Sequence, residues 1–533
     1  MLTVSDLSIA FGAAAVVRGL SFTLARGEIL GIVGESGAGK SITSLCLMGL
    51  LPPQAMILNG SANFADGDET YNLAALDGRT HRALRGRKLS MVFQEPLTCL
   101  NPSMRCGEQL LEAVIANTSY RGKSAKEICL ALLADMQLPD PMKIYRSYPH
   151  QISGGQKQRV MIAMALAGSP QLLIADEPTT ALDVTVQKGI LALLKQIRAK
   201  YGVGIIFISH DLGVIREIAD KVLVMHNGEV VEQGPVDNVF ANPMHPYTAH
   251  LIGCRRTLSE KKDAKPIANQ SAPAIFSARG ITVRYDLRKN IIGKPTQSFT
   301  AVNNVSIDLY EGETLGVVGE SGSGKTTLGR TLLRLIGNQS GSILYRGKNL
   351  RVLNDQELKR FRKEVQLIFQ DPYSSLNPRL TIEQTLTEPL KVHRILTSPE
   401  ERKRRVLELL DRVMLPRDSL YRYPHEFSGG QRQRIVIARA LTLYPRVLIC
   451  DEIVSALDVS IQAQILELLQ GMKRELNLTY LFISHDLSVV RYISDRVLVL
   501  RNGVAVETGK VDDVYANPHS DYTKALIDSI PVV

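Results

Sequence analysis

Two octapeptides carry the most specific chemistry in this 533-residue chain. Gly34-x-x-Gly37-x-Gly39-Lys40-Ser41 and Gly319-x-x-Gly322-x-Gly324-Lys325-Thr326 set three glycines ahead of a lysine and a hydroxyl. The glycines let backbone N–H groups converge on phosphate oxygens with no Cβ in the way. A helix after such a loop adds its N-terminal N–H groups and the positive end of its dipole. Lys40 and Lys325 are expected to neutralise β- and γ-phosphate charge, and Ser41 and Thr326 to hold Mg2+ through their hydroxyls.

Three further pairs complete the chemistry. Asp176-Glu177 and Asp451-Glu452 close short apolar runs. The Asp can reach the shell of a bound Mg2+, and the Glu is placed to take a proton from an attacking water. His210 and His485, each in FISHDL, could contact the γ-phosphate and orient that water through one ring nitrogen. Ser153-Gly154-Gly155-Gln156 and Ser428-Gly429-Gly430-Gln431 lead into apolar-periodic helices. A Ser hydroxyl and glycine N–H groups at a helix start make a second anion site. Two anion sites per half exceed what one nucleotide needs there, which suggests a nucleotide sandwiched between halves.

The elements that must position these residues repeat. Gly34 recurs as Gly319, 285 residues on, whereas Ser153, Asp176 and His210 recur 275 residues on. The first copy is therefore expected to hold an insertion, near SANFADGDETYNLAALDG. Even the tails repeat, as NPMHPYTAHLI and NPHSDYTKALI. A period this long is a domain duplication. The predicted division is 1–254, a Lys/Ala/Pro/Ser-rich linker at 255–274, and 275–533. GEILGIV, QLLIADEP and VGIIFISHD read as buried strands of a parallel sheet, with chemistry at their C-terminal ends.

These residues, in this order, resemble the ATP-binding cassette (ABC) ATPases over nearly the whole chain, apart from the linker. The resemblance implies an α/β fold of two tandem P-loop NTPase domains, each with a RecA-like core, an antiparallel β subdomain and a helical signature subdomain. In that family, halves pair head to tail around ATP. One site would then combine Lys40, Ser41, Gln94, Asp176, Glu177 and His210 with Ser428, Gly430 and Gln431. The other would combine Lys325, Thr326, Gln370, Asp451, Glu452 and His485 with Ser153, Gly155 and Gln156. The amides of Gln94 and Gln370 would touch metal or water, alongside Ser41, Thr326 and the two Asp residues. Asp183 and Asp458 match the loops that connect the sites, and Phe11 and Tyr285 are candidates to stack on adenine.

The stretches QEPLTCLNP, QDPYSSLNP, YPHQISGG and YPHEFSGG, with the HPYT-like tail, look like the peptide and nickel importer branch. The chain is similar to both of its ATPase subunits fused, as in glutathione and microcin C importers. This implies ATP and Mg2+ as ligands, two integral-membrane permease subunits and a solute-binding protein as partners, and a place on the cytoplasmic face of the bacterial inner membrane. Surfaces running from Gln94 to about Gln109 and from Gln370 to about Gln384 would meet the permeases. The second half departs from the pattern at Ile453 and Val454, which leave Asp451 and Glu452 intact, so hydrolysis is expected at both sites.

Composition narrows the alternatives. With 45% hydrophobic and 22% charged residues, general disorder is excluded. No apolar run approaches a membrane span, and the first residues lack the pattern of a secretory signal. The six Cys form no CxxC pair, which argues against zinc or iron–sulfur sites. A net charge of +10 suits an anionic partner but does not identify one. The alternative is a tandem ATPase acting on ribosomes. It usually carries a long charged helical linker, unlike the short Pro-interrupted one here, so no nucleic acid is expected.

Overall fold

Five-residue strands with every residue buried set the architecture. The computed structural model describes residues 1–94, 99–180, 182–259, 273–289, 295–455 and 457–531. In the first unit, β1 (Leu2–Phe11), β2 (Ala14–Leu24), β4 (Ala55–Asp66) and β5 (Glu69–Asn72) form an antiparallel sheet ordered β2-β1-β4-β5. The second sheet holds β3 (Ile29–Val33), β6 (Leu89–Val92), β7 (Leu172–Asp176), β8 (Gly204–Ile208), β9 (Lys221–His226) and β10 (Glu229–Pro235). Its order is β10-β9-β3-β8-β7-β6, parallel throughout except for the β9–β10 hairpin. Strands β3, β7 and β8 read as unbroken apolar runs because both faces are covered.

Between β6 and β7 the chain leaves the sheet for a helical region. Helices Cys106–Asn117, Gly122–Asp135 and Gly154–Leu166 lie there. Leu110, Cys129, Leu133 and Ile162 are all fully buried in their shared core. The helix Val184–Tyr201 buries Ile190, Leu191, Leu194 and Ile197, at the spacing of one helix face.

The second unit repeats this plan. Strands β11 (Phe276–Lys289), β12 (Pro295–Leu309), β14 (Ser340–Tyr345) and β15 (Lys348–Asn349) make the antiparallel sheet, ordered β12-β11-β14-β15. Strands β13 (Thr314–Val318), β16 (Val365–Ile368), β17 (Val447–Asp451), β18 (Thr479–Ile483), β19 (Arg496–Arg501) and β20 (Val504–Lys510) order as β16-β17-β18-β13-β19-β20. The extra residues of the first half fall where the shift in spacing points: β4 and β5 span 12 and 4 residues against 6 and 2 in β14 and β15.

The chain separates into Met1–Arg255 and Arg256–Ile530. The helix Pro246–Ser259 runs through residue 254, and Arg255 is buried beside Asp211 at 3.6 Å. Most of the predicted linker, residues 260–272, lies outside the described residues. Among the described residues no helix is long and apolar enough to cross a membrane.

Candidate nucleotide-hydrolysis sites

Strand order is what gathers the chemistry. Gln94 follows β6, Asp176-Glu177 ends β7, His210 follows β8, and Gly34 follows β3. These four strands are neighbours, so residues more than 100 positions apart in sequence meet along one sheet edge at strand spacing. Gln370, Asp451-Glu452, His485 and Gly319 meet in the same way in the second unit.

Each phosphate loop packs its first glycine against backbone. A Cβ on Gly34 would lie 2.2 Å from the Met225 carbonyl oxygen, and one on Gly319 2.2 Å from that of Leu500. Gly39 and Gly324 cap the following helices, Lys40–Leu47 and Lys325–Leu332, at φ of +96° and +99°. A side chain there would be both strained and crowded by β2 or β12. Gly37 and Gly322 also have positive φ, with open space around them.

The lysines are buried and drawn into the loops. Lys40 Nζ donates to the carbonyls of Gly34 and Glu35 at 2.7 and 2.9 Å, and Lys325 Nζ to those of Gly319 and Glu320 at the same distances. Ser41 Oγ donates to Asp176 Oδ1 at 3.2 Å, and Thr326 Oγ1 to Asp451 Oδ1 at 2.9 Å. Burial pushes both Asp carboxyls above their ordinary values, despite those bonds. A desolvated carboxylate beside a hydroxyl is an oxygen-donor set that suits a hard cation such as Mg2+.

The glutamates sit in a different electrostatic setting. Burial opposes charge on Glu177, but the His210 hydrogen bond and charge, with Thr180 and Lys40, hold its pKa down at about 2. Gln94 Nε2, Thr180 Oγ1 and His210 Nδ1 lie 3.1, 2.9 and 3.1 Å from Glu177 Oε2. The ionised carboxylate only accepts, so Nδ1 carries the proton in this pair. Burial likewise opposes charge on Glu452, and His485 and Lys325 outweigh it. Gln370 Nε2 and His485 Nδ1 lie 2.8 and 3.3 Å from its Oε2. Both Gln amides thus meet the carboxylate of the glutamate. Glu177 and Glu452 also hold the left-handed backbone conformation, at φ of 47° and 49°. Such strain in a non-glycine residue gathers at functional sites.

The signature serines act locally in each unit. Ser153 and Ser428 cap the helices Gly154–Leu166 and Gly429–Leu441 in reciprocal boxes with Gln156 and Gln431. Gly155 and Gly430 have a packing role: a Cβ would fall 2.4 Å from Val186 Cγ1 or 2.6 Å from Ile461 Cγ2. Asp183 and Asp458 begin the helices that carry these two partners. Ile453 and Val454 are both buried, so the second-half departure fills core space. Phe11 ends β1, paired with Ala14, while Tyr285 pairs with Phe299 across β11 and β12. Gln109 braces the turn at Asn101–Met104, and Gln384 boxes the start of the helix Ile382–Val392.

The "ABC transporter" family matches residues 17–180 and again 302–455. The chain belongs to the ABC transporter family. As a member of that family, the chain is an ATPase. A second family, "Oligopeptide/dipeptide transporter, C-terminal region", matches residues 231–279 and 506–533 of the ABC chain. Over its whole length the chain is 45% identical to the "Glutathione import ATP-binding protein GsiA" of Escherichia coli strain K12, covering 90% of that relative. The protein of the same name from Escherichia coli O6:H1 matches to the same extent. Among solved structures, the "Dimeric Structure of MJ0796, a Bacterial ABC Transporter Cassette" is 29% identical over 44% of this chain and 98% of its own, with a TM-score of 0.40.

Sequence reading missed two features of these ABC sites. Thr180 reaches the Glu177 carboxylate, and threonine three residues after a glutamate carries no distinctive signal. Phe93 and Phe369, just before the two Gln residues, are 40% and 41% exposed. Their repetition in both halves was the available clue.

Proposed function

We propose that this chain is the ATP-hydrolysing subunit of an importer for peptides or related small solutes, glutathione among them. The observation that carries this reading is an oligopeptide-type C-terminal region in each half, following an ABC transporter match in that half. The relatives' stated role in glutathione import agrees with it.

ATP would sit on each phosphate loop, with Lys40 or Lys325 released from its loop carbonyls onto the phosphates. Ser41 with Asp176, and Thr326 with Asp451, would hold Mg2+, which supplies positive charge against the polyphosphate; the Gln94 and Gln370 amides, bonded to Glu177 and Glu452, would turn to the metal or the water. Glu177 or Glu452 takes a proton from water as the water oxygen bonds to the γ-phosphorus. The bond from that phosphorus to the leaving ADP oxygen breaks, giving ADP and phosphate. His210 and His485 keep the carboxylates ionised and oriented. Ser153, Gly155 and Gln156 would complete the second site, and Ser428, Gly430 and Gln431 the first, in a head-to-tail pairing. Phe11 and Tyr285 would stack on the adenines.

The partners in this reading are two integral-membrane permease subunits and a solute-binding protein, with no nucleic acid. The chain would lie peripherally on the cytoplasmic face of the bacterial inner membrane. Exposed Phe93 and Phe369 support a permease-facing surface beside each Gln. The test is reconstitution of the chain in membranes with permease subunits and a solute-binding protein of a glutathione or peptide importer. ATPase activity stimulated by glutathione or short peptides through the binding protein is expected; copurification with ribosomes and no stimulation by solute would overturn it.

A further inference from the structure

The repeated tails of the two halves reach the phosphate loops. Tyr247 lies on the helix Pro246–Ser259, and the Glu35 backbone N–H donates to its hydroxyl at 3.2 Å. In the second unit, the Glu320 N–H donates to the Tyr522 hydroxyl at 3.2 Å. The other side of the same residue holds the lysine: Lys40 Nζ donates to the Glu35 carbonyl, and Lys325 Nζ to the Glu320 carbonyl, both at 2.9 Å. Residue Glu35 or Glu320 thus connects a tail tyrosine to the lysine of its own loop.

The tyrosines are themselves fixed. The Tyr247 ring stacks on His226, the last residue of β9, with centroids 4.0 Å apart. Tyr522 carries the guanidinium of Arg501, the last residue of β19, 4.8 Å from its ring centroid. The tail approach is clamped by a glutamate on the neighbouring strand. Glu232 accepts from the N–H groups of Met244 and His245 at 2.8 and 3.1 Å, and Glu507 from those of His519 and Ser520 at 2.9 and 3.1 Å. The same device therefore occurs twice, with different ring partners.

We propose that Tyr247 and Tyr522 are positioning residues for ATP, holding the Glu35 and Glu320 peptides so that each loop lysine is set for the phosphates. The C-terminal region of each half is then a structural part of its ATP site. Buried backbone N–H groups need an acceptor, and the tyrosine hydroxyl supplies one to Glu35 and to Glu320. This proposal rests on the reading of the two loops as the ATP cradles.

The test uses the full chain with Tyr247→Phe and Tyr522→Phe combined, which keeps both rings. Loss of one net hydrogen bond per site predicts a rise in KM for ATP of roughly three- to tenfold, with kcat at saturation little changed. An unchanged KM, or a loss confined to kcat, overturns the brace. Hydrogen exchange on the wild-type chain gives a second reading that needs no variant: the Glu35 and Glu320 amides should be protected without nucleotide, and rapid exchange there also overturns it. Lys40→Ala with Lys325→Ala separates the two readings. If ATP binding survives those changes, the cradle assignment itself fails; if it is lost while the tyrosine variants bind normally, only the brace fails.

Discussion

Thr180 donates its hydroxyl to Glu177 Oε2 at 2.9 Å, whereas Ser455, at the matching place, donates to the Glu452 backbone carbonyl at 2.9 Å. Branching at Cβ restricts the threonine rotamer, and serine is free to turn to the main chain. Each added donor lowers a carboxylate's basicity, so the first site is expected to hydrolyse more slowly. A single-turnover time course should show two phases. Thr180→Val should speed the slow phase by roughly threefold, and Ser455→Thr should slow the fast one. A single phase insensitive to both changes would sink this asymmetry.

Glu177→Gln keeps the phosphate cradle but loses the proton acceptor. The variant should retain ATP at the first site with turnover there reduced by roughly 100-fold or more. Retained nucleotide after rapid desalting measures the first effect, and phosphate release the second. Wild-type turnover would rule Glu177 out as the base.

Ser428→Arg tests the head-to-tail pairing. A bulky cation at the second unit's signature should weaken closure over ATP held by Lys40. Interdomain distance, followed with paired probes on the two units, should then fail to shorten on ATP addition. Normal closure would count against a composite site.

The Glu452–His485 pair gives a pH signature. Burial opposes charge on His485, but the Glu452 hydrogen bond and charge raise its pKa above the ordinary 6.5. Its contribution to stability is full below 6.5 and is lost as pH rises through the folded value. Glu452 is lowered from 4.5, so its contribution is present above 4.5 and lost as pH falls through the folded value. The pair is therefore strongest between those two ordinary values. Glu452→Gln should flatten the decline in melting temperature as pH rises above 6.5. An unaltered slope would show that His485 titrates independently of Glu452.

Gly155→Ala should destabilise the first unit, because its Cβ would fall 2.4 Å from Val186 Cγ1. Overpacking of this kind costs about 1–3 kcal/mol. Val186→Ala in the same chain should restore most of the loss, as chemical denaturation would measure. Equal losses in the single and double variants would exclude this contact as the cause.

Much of this chemistry was legible in the sequence because the phosphate loops impose glycines at fixed positions and the duplication repeats every partner. The two cassettes of the fold were equally legible from their buried strands and common period. Other features depend on residues brought together only by folding. Gly155 reads as part of an anion site, yet its missing Cβ makes room for Val186, 31 positions on. Tyr247 was visible only as part of a repeated tail, since nothing local to a tyrosine says that it accepts from Glu35. Strand order was also hidden, because a buried apolar run does not name its neighbours.

That strand order has a consequence for biosynthesis. The first unit's hydrolytic edge needs β3, β6, β7 and β8, so its four groups cannot assemble until residues near His210 have been made. Yet among the described residues none of its strands comes from beyond Pro235. The ribosome can therefore release the strands of one unit for pairing while still translating the other, which keeps sheets of like order from exchanging strands as they form.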